Sequence, residues 1–123
     1  VLNGFLYAVI GLIELYNETE IEWIGCLLSD LKNTLEKNIH LWDSGYWSYY
    51  DLDNIHTDKR KNLSTIAYHS LHISQLRFIG DYFKSELIIN TASKWQKYMR
   101  KPLYRLKALK DKILYRLKYR AQR

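Results

Sequence analysis

The sequence has a single cysteine, Cys26, among its 123 residues, so it can form no intrachain disulfide and offers no cluster of thiolate ligands for a metal. Cys26 lies in the apolar run 24–28, and we expect it to be a small buried hydrophobic residue. Long apolar stretches are also missing, because the most apolar run, 5–13, is far shorter than the roughly 20 residues that span a bilayer. That run lacks a basic leader, which argues against a signal peptide.

Methionine is almost absent too. Met99 is the one methionine and Val1 opens directly on a motif, so we expect the chain to be a segment of a longer protein. Its length leaves room for one domain, and an apolar content of 47% can support a real core. No sustained alternation of apolar and polar residues is present, which predicts an all-α chain.

Two amphipathic helices are predicted in the first third of the chain. The first ends at Asn17, and its inward stripe is Phe5, Val9, Leu12 and Tyr16. Thr19 and Glu22 have the spacing of a capping box, which predicts a second helix that runs to about Lys37. Its inward stripe is Trp23, Leu27, Leu31 and Leu35. We expect these two helices to pack antiparallel.

Three further helices are predicted in the second half. Asn62 or Ser64 can cap the third, which ends near Gly80 and carries inward Ile66, Ile73, Leu76 and Ile79. Ser85 can cap the fourth, whose inner face is Ile88, Ala92, Trp95 and Met99. Pro102 stops the fourth helix and suits the first turn of a fifth.

Positive charge is concentrated at the C-terminal end. Residues 101–123 hold nine Lys or Arg against one acid, a net charge of +8, whereas the whole chain carries +6. An apolar stripe runs between these basic residues: Leu103, Leu106, Ile113 and Leu117. Two interpretations stay open. The helix either meets an anionic partner, namely a polysaccharide, a membrane surface or nucleic acid, or is a solvated terminal helix that packs on the rest. Nucleic acid ranks last because no fold motif supports it.

Aromatic, acidic and histidine residues are densest between residues 43 and 73. Gly45 begins an aromatic segment, 46–50, that we expect to form a short hairpin or an extended loop. Residues 53–61 are polar and expected to be exposed. His69 and His72 share one helical face beside Tyr68. A metal site is the weaker interpretation of these histidines, with His40, His56, Asp51 and Asp53 as the remaining candidate ligands.

Four blocks of residues carry a resemblance to a known family. They are Val1 to Phe5 with Gly11 and Leu12, Leu41 to Gly45, Tyr50 to Leu52, and Tyr68 to Leu76. Their content and order resemble the C-terminal domain of the D-glucuronyl 5-epimerases, the heparosan-N-sulfate-glucuronate 5-epimerases, over residues 1–100. The resemblance implies part of an incomplete α/α toroid of paired antiparallel helices. The basic amphipathic helix, 101–123, lies beyond it.

The resemblance also implies an activity. The enzymes of this family invert carbon 5 of D-glucuronate units in a heparosan-like polysaccharide, without a redox cofactor. Carried over, Tyr50 and Tyr68 would be the proton-transfer pair, on separate elements that allow them to flank a ligand. The expected substrate-binding residues are His69, His72, Asp51, Trp47 and Asp43.

Several of these residues have a second interpretation. The histidines can hydrogen-bond to the tyrosines or to a sugar carboxylate, or complete a helix contact. Trp47, with Trp42 and Tyr46, can stack on sugar faces or belong to the core. Asp43 and Asp51 can bind sugar hydroxyls or cap turns around Gly45.

The expected partners are an anionic uronic-acid polysaccharide, a second copy of the chain, the N-terminal part of the same protein and, through the basic tail, a membrane surface. The resemblance implies the Golgi lumen for an animal protein and a cytoplasmic or membrane-associated place for a microbial one.

Three departures from the family pattern suggest a rival function. Asp53 stands where the family has an arginine suited to a carboxylate or sulfate, and Ile66 and Ala67 stand where it has Trp-Asp. A further family glutamate and tyrosine lie upstream of Val1, so we expect the isolated segment to be inactive. In a full-length relative, Arg60 or Lys61 can supply the cation. The rivals are a non-catalytic polysaccharide-binding or assembly module of the same fold and a basic peripheral-membrane module.

Overall fold

The computed structural model of the chain describes residues 1–53 and 61–120, without the side chain of the last of these. Within these residues it contains five α-helices and one 3₁₀ turn, Ile39–Trp42. The helices are α1 Leu2–Thr19, α2 Glu22–Asn38, α3 Ile66–Phe83, α4 Glu86–Arg100 and α5 Pro102–Arg120. The described ranges contain no strand, only two isolated antiparallel bridges, Asp43 with Ser48 and Tyr49 with Leu63. The all-α prediction is therefore confirmed.

Helices α3 and α4 form the centre of the fold. Only two residues join them, so they run antiparallel, and Lys84 makes the reversal in a left-handed conformation with φ 50°. Ser85 then caps α4 by accepting from the N–H of Ile88, as predicted. Helix α1 packs on α3, α2 packs on α1, and α5 packs on α4. Pro102 opens α5 directly after α4 ends, which confirms the predicted break.

A continuous apolar core fills the space between these helices. Each of its large side chains contributes roughly 1.5–3 kcal/mol by leaving water. The members that are wholly inaccessible to solvent include Leu2, Leu6, Ile13, Ile24, Leu76, Ile79, Ile88, Trp95 and Trp47. Trp47 comes from the loop between α2 and α3, so the core holds that loop as well as the helices.

The predicted cap of α2 is wrong, and its predicted inward stripe is wrong in the first half, whereas Leu31 is partly buried and Leu35 is buried. The Thr19 hydroxyl donates to Leu15 O within α1, at 2.7 Å, and Ile21 precedes α2 without a side-chain cap. The core-facing residues are Ile24, Leu28 and Leu35, one position away from the predicted stripe at its first two steps. Trp23 and Leu27 are instead 62% and 36% exposed. Cys26 is exposed rather than buried.

The first and third helices differ from prediction in smaller ways. Helix α1 runs on to Thr19, and its buried face is Leu2, Leu6, Val9 and Ile13, whereas Phe5, Leu12 and Tyr16 are only partly buried. Helix α3 is capped by Thr65, whose hydroxyl accepts from Tyr68 N, and not by Asn62 or Ser64. It continues to Phe83, and Ile66 at its start is 38% exposed.

Helix α5 has two faces with different surroundings. Ala108 is buried against the rest of the chain. The predicted apolar stripe of Leu103, Leu106, Ile113 and Leu117 is exposed along its whole length. In the described part of the chain, no helix combines the length and apolar character needed to cross a membrane.

Gly80 permits the close approach of α3 and α4. A Cβ atom there would lie 2.8 Å from Ile89 Cγ1 and 3.1 Å from the backbone nitrogen of Ile89. We expect Gly80→Ala to destabilise the fold by about 1–3 kcal/mol, because it forces the two helices apart. Thermal unfolding of the full-length protein measures the effect. Gly11→Ala is the matched control, since a Cβ there meets nothing within 4 Å. It should stabilise by about 0.5–1 kcal/mol through helix propensity. Equal stabilisation by both changes would contradict the steric argument.

Candidate active site

The loop between α2 and α3 begins with a tight turn. We call its described residues 43–53 the aromatic loop. Asp43 Oδ1 accepts from the N–H of Gly45 at 2.8 Å, and Ser44 N donates to Trp47 O at 2.9 Å. Gly45 has φ 86°, which side chains other than glycine adopt only with strain. The antiparallel bridge of Asp43 with Ser48 closes this turn, so the aromatic segment begins as a short hairpin and continues as a loop.

A buried polar cluster anchors this loop to α3. Ser48 Oγ lies 2.8 Å from His69 Nδ1, 3.0 Å from His72 Nδ1 and 2.8 Å from Ser64 Oγ. The N–H of Ser48 donates to His69 Nδ1, so the ring proton of His69 lies on Nε2, which donates to Trp95 O at 3.1 Å. One serine thus binds both histidines and the residues that precede α3.

The two histidines are uncharged at neutral pH. Burial lowers the pKa of His69 to about 4 and that of His72 to about 3, with the neighbouring His69 lowering the latter further. Trp47 stacks on His69 with ring centroids 3.9 Å apart and donates from Nε1 to Ser64 O. All three rings are completely inaccessible. The expectation that Trp47, His69 and His72 touch the substrate is corrected, because they have no surface to offer it.

Asp43 is also engaged. Its Oδ2 lies 2.7 Å from Lys94 Nζ on α4, and this hydrogen bond is the largest cause of the raised pKa of Lys94. Asp43, Gly45, His40 and Lys94 contribute to the wall of a surface depression of about 440 Å³. Asp43 therefore caps the turn, as the second interpretation of the sequence expected, and it also pairs with a cation that the sequence did not indicate.

Tyr50 and Tyr68 come together at an accessible edge. Their ring centroids are 5.0 Å apart with the ring planes at 64°, an edge-to-face contact. Tyr50 is half-buried and Tyr68 is 37% exposed. Their backbones are held, since Tyr50 N donates to Asn62 O at 2.7 Å and Tyr68 N donates to the Thr65 cap. The contact leaves no space for a sugar ring between them, so the expectation that they flank a ligand is not met.

The surroundings of Tyr50 keep its hydroxyl protonated. Partial burial raises its pKa above the ordinary value, and the adjacent Tyr68 and the negative Asp51 raise it further. At neutral pH Tyr50 is therefore a phenol that can donate a proton. Because Tyr68 is more exposed, the pair presents one polar edge to solvent.

Sequence reasoning missed the residues that connect this edge to α5. Asn62 Nδ2 donates to Asp51 Oδ2 at 2.6 Å, and Lys112 Nζ donates to Asn62 Oδ1 at 2.7 Å. Lys112 Nζ also lies 5.3 Å from the centroid of the Tyr50 ring. Nearby, Tyr46 donates to Asp111 Oδ2 at 2.6 Å. The sequence does contain a second periodic face of α5 that includes these contacts, namely Tyr104, Ala108, Asp111, Lys112 and Tyr115. The apolar stripe on the other face is more conspicuous and was the one interpreted.

The metal interpretation gains no support. No group of three or more His, Cys, Asp or Glu side chains that could hold an ion occurs within residues 1–53 and 61–120. His56, a candidate ligand, and Arg60, a candidate cation, lie outside the described residues. Lys61 is described, and its Nζ lies 5.2 Å from the centroid of the Tyr49 ring.

Comparison with known proteins decides the family. The family model of the D-glucuronyl C5-epimerase C-terminus matches residues 1–97. The chain belongs to this family. It is 33% identical over 110 residues to a D-glucuronyl C5-epimerase of Caenorhabditis elegans, an alignment that covers 80% of the chain but 18% of the relative. The chain thus spans less than a fifth of the length of that relative. No solved structure matches it.

The epimerase match has a boundary that bears on the site. It includes the aromatic loop, α3 and most of α4, and it ends at residue 97. Helix α5 begins at Pro102. Lys112 therefore reaches Tyr50, and Asp111 reaches Tyr46, from a helix that the family model does not include.

The buried histidines predict that the fold is sensitive to acid. Their pKa values lie below the ordinary 6.5 in the folded chain, so between about pH 6.5 and pH 4 only the unfolded chain takes up protons at both sites. The free energy of unfolding should therefore decrease as the pH is lowered across this window, by about 2–3 kcal/mol per pH unit. Urea unfolding at several pH values measures the slope.

Two variants test the assignment of that slope. His72→Gln removes one of the two sites and should reduce the slope by about half. His40→Gln, at an exposed position in the 3₁₀ turn, should leave it unchanged. A free energy of unfolding that stays constant down to about pH 4 would show that the histidines are not buried as neutral groups.

Proposed function

We propose that the chain forms part of the active site of a uronate 5-epimerase, which inverts carbon 5 of D-glucuronate units in a heparosan-like polysaccharide. The observation that carries the proposal is the contact of Tyr50 with Tyr68 at an accessible edge beside a cation, Lys112. Membership of the epimerase family supports the reaction class. The substrate and the role of the tyrosines belong to the proposal.

The chemistry requires two proton transfers. A base removes the proton on carbon 5, and the electron pair of the C–H bond moves into the adjacent carboxylate to form an enediolate. A proton then returns to carbon 5 from the opposite face, which inverts the centre. No electrons are exchanged with another molecule, so the residues need no redox cofactor.

Tyr50 fits the role of proton donor. Its raised pKa keeps the phenol intact at neutral pH, and a phenol is acidic enough to protonate a carbanion. Tyr68 contacts Tyr50 and lies on the more exposed side, where it can share the proton or contact the sugar. Because the two rings touch, we assign both to one face of the sugar. The group on the other face then comes from another part of the full-length protein.

The helix pairs are compatible with the expected toroid. α1 contacts α2, and α3 contacts α4, each across a two-residue turn. Several apolar side chains point away from this core, including Trp23 at 62%, Leu87 at 47% and Phe78 at 46% exposure. In the proposed toroid these positions face neighbouring helix pairs or a second copy of the chain.

Asp53 favours a second candidate function. It is exposed at the end of the aromatic loop, close in sequence to Asp51, and both acids repel an anionic polymer. This observation suits a module that retained the fold and binds or assembles polysaccharide without catalysis. The buried cluster around Ser48 serves either function, because it holds the loop in place.

Exchange at carbon 5 distinguishes the two functions. The full-length protein is incubated with heparosan in heavy water, and NMR follows the loss of the carbon 5 proton signal. We expect exchange in the wild type. Tyr50→Phe should slow the inversion that accompanies exchange, followed as the appearance of signals of the inverted uronate, by about 10²–10⁴-fold, because it deletes the donated proton and keeps the ring. Tyr68→Phe should slow it as well, by a smaller factor.

Tyr7→Phe is the matched control, since Tyr7 is an exposed tyrosine on α1. It should exchange at the wild-type rate, and circular dichroism should show the same fold in all variants. Normal inversion in both site variants would overturn the assignment of the tyrosines. Absence of exchange in the wild type with heparosan and related uronic-acid polymers, while binding persists, would establish the non-catalytic module instead.

A further inference from the structure

A uronate substrate is negatively charged, and the end of the aromatic loop beside Tyr50 carries acidic residues. The carboxylate sits on the reacting carbon, and Asp51 and Asp53 lie at the end of the aromatic loop next to Tyr50. The enediolate formed by deprotonation carries one more negative charge than the carboxylate. Without a cation at this edge, both the ground state and the intermediate would be repelled. In the structure, helix α5 supplies such a cation.

Lys112 reaches this edge from the third turn of α5. Its Nζ lies 5.3 Å from the centroid of the Tyr50 ring and donates to Asn62 Oδ1 at 2.7 Å. The same amide donates from Nδ2 to Asp51 Oδ2, so the orientation of Asn62 is defined by both bonds. The amide separates the ammonium from the nearest carboxylate. Lys112 is thus held in place by a neutral acceptor while its positive charge stays available.

The other lysines near the loop are placed differently. Lys94 pairs with Asp43 at 2.7 Å, Lys107 lies over the Tyr46 ring at 4.0 Å, and Lys61 lies over the Tyr49 ring at 5.2 Å. Lys112 bonds to a neutral amide, whereas Lys94 bonds to a carboxylate. Burial lowers the pKa of Lys112 and the neighbouring Arg116 lowers it further, while Asp51 acts in the opposite direction. Lys112 is half-buried, where an ammonium binds an anion more strongly than in bulk water.

We propose that Lys112 binds the carboxylate of the uronate unit whose carbon 5 lies at Tyr50, and that it stabilises the enediolate as charge builds there. This inference rests on the proposed function for the choice of substrate. Lys112 has three N–H donors, and its bond to Asn62 uses one. The carboxylate of the sugar then takes a second. Asn62 and Asp51 are positioning residues, since they orient the ammonium and the loop.

The test compares two polymers that differ only in the carboxylate. Heparosan oligosaccharides carry it, and carboxyl-reduced heparosan oligosaccharides have a hydroxymethyl group in its place. Titration calorimetry measures the binding of each to the full-length wild type and to Lys112→Met, at about 0.15 M salt so that distant charges are screened. We expect Lys112→Met to weaken heparosan binding by about tenfold or more and to leave binding of the reduced polymer unchanged.

Two further variants distinguish an effect of the charge at position 112 from an effect of the general charge of α5. Lys112→Arg keeps the charge and a donor, so it should retain most of the discrimination between the two polymers. Lys110→Met removes the same charge from an exposed position on α5 and should preserve that discrimination. In the exchange assay, Lys112→Met should also lower kcat, because the charge on the carboxylate grows in the transition state.

The outcomes separate the inference from the proposed function. Equal weakening of both polymers by Lys112→Met would assign it a structural role and overturn the inference. If Lys110→Met weakened heparosan binding as much as Lys112→Met does, the binding would depend on the general charge of α5. That result would also overturn the inference. Because the calorimetry needs no turnover, a wild type that distinguishes the polymers through Lys112 but exchanges no proton would refute the epimerase and retain the carboxylate site. A wild type that binds the two polymers equally would overturn the inference, whatever its exchange rate.

Discussion

The hydroxyl of Ser48 holds the aromatic loop against the helices, and the geometry of the tyrosine edge depends on it. It lies within 3.0 Å of both His69 Nδ1 and His72 Nδ1, and it also meets the Ser64 hydroxyl. Burial keeps the imidazoles neutral, so each has one donor and one acceptor nitrogen and brings no charge into the core. The hydroxyl has a single proton, so it can donate to one of them and accept from the other. Tyr50 follows two residues after Ser48, and Tyr68 directly precedes His69. The same cluster therefore fixes both tyrosines from behind.

A second support comes from the far end of the chain. Helix α5 is strongly basic, yet its inner face makes specific polar contacts: Asp111 accepts from Tyr46, and Lys112 donates to Asn62. Ala108, on the same face of the helix, is buried. The positive charge of this segment is thus divided between two faces. One face contacts Tyr46 and Asn62, and the other carries exposed lysines, arginines and leucines.

The sequence was most informative where one residue has a local effect. Ser85 and Pro102 mark helix boundaries through their own backbone and side-chain chemistry, and both were placed correctly. The inward stripe of α2 could not be placed in this way. Trp23 and Ile24 are both apolar, and only the packing of α2 on α1 selects Ile24 for the core. Thr19 failed as a cap because its hydroxyl found a carbonyl within its own helix.

In the candidate site, too, local features were predicted from the sequence and long-range contacts were not. Spacing along one helix placed His69 and His72 on a common face, which is correct. Their burial depends on Ser48, more than twenty residues earlier, and no local pattern reports such a contact. Lys112 is a still longer-range case, since it meets Asn62 across fifty residues. Aromatic density led to the candidate site, but which of its residues contact one another required the tertiary structure.

The edge-to-face contact of Tyr50 with Tyr68 limits what this chain can do alone. Inversion at carbon 5 needs groups on both faces of the sugar, whereas these two rings touch and leave no room for a ligand between them. An aligned relative is more than five times as long as the segment it shares with this chain, so a full-length epimerase has ample structure from which to supply the opposite face. On this view the chain contributes one face of the site: a proton donor, its partner phenol and a cation for the carboxylate. In the proposed site, the charge of Lys112 offsets the repulsion between Asp51 and an anionic polymer, so the proposal requires α5 to pack as it does here.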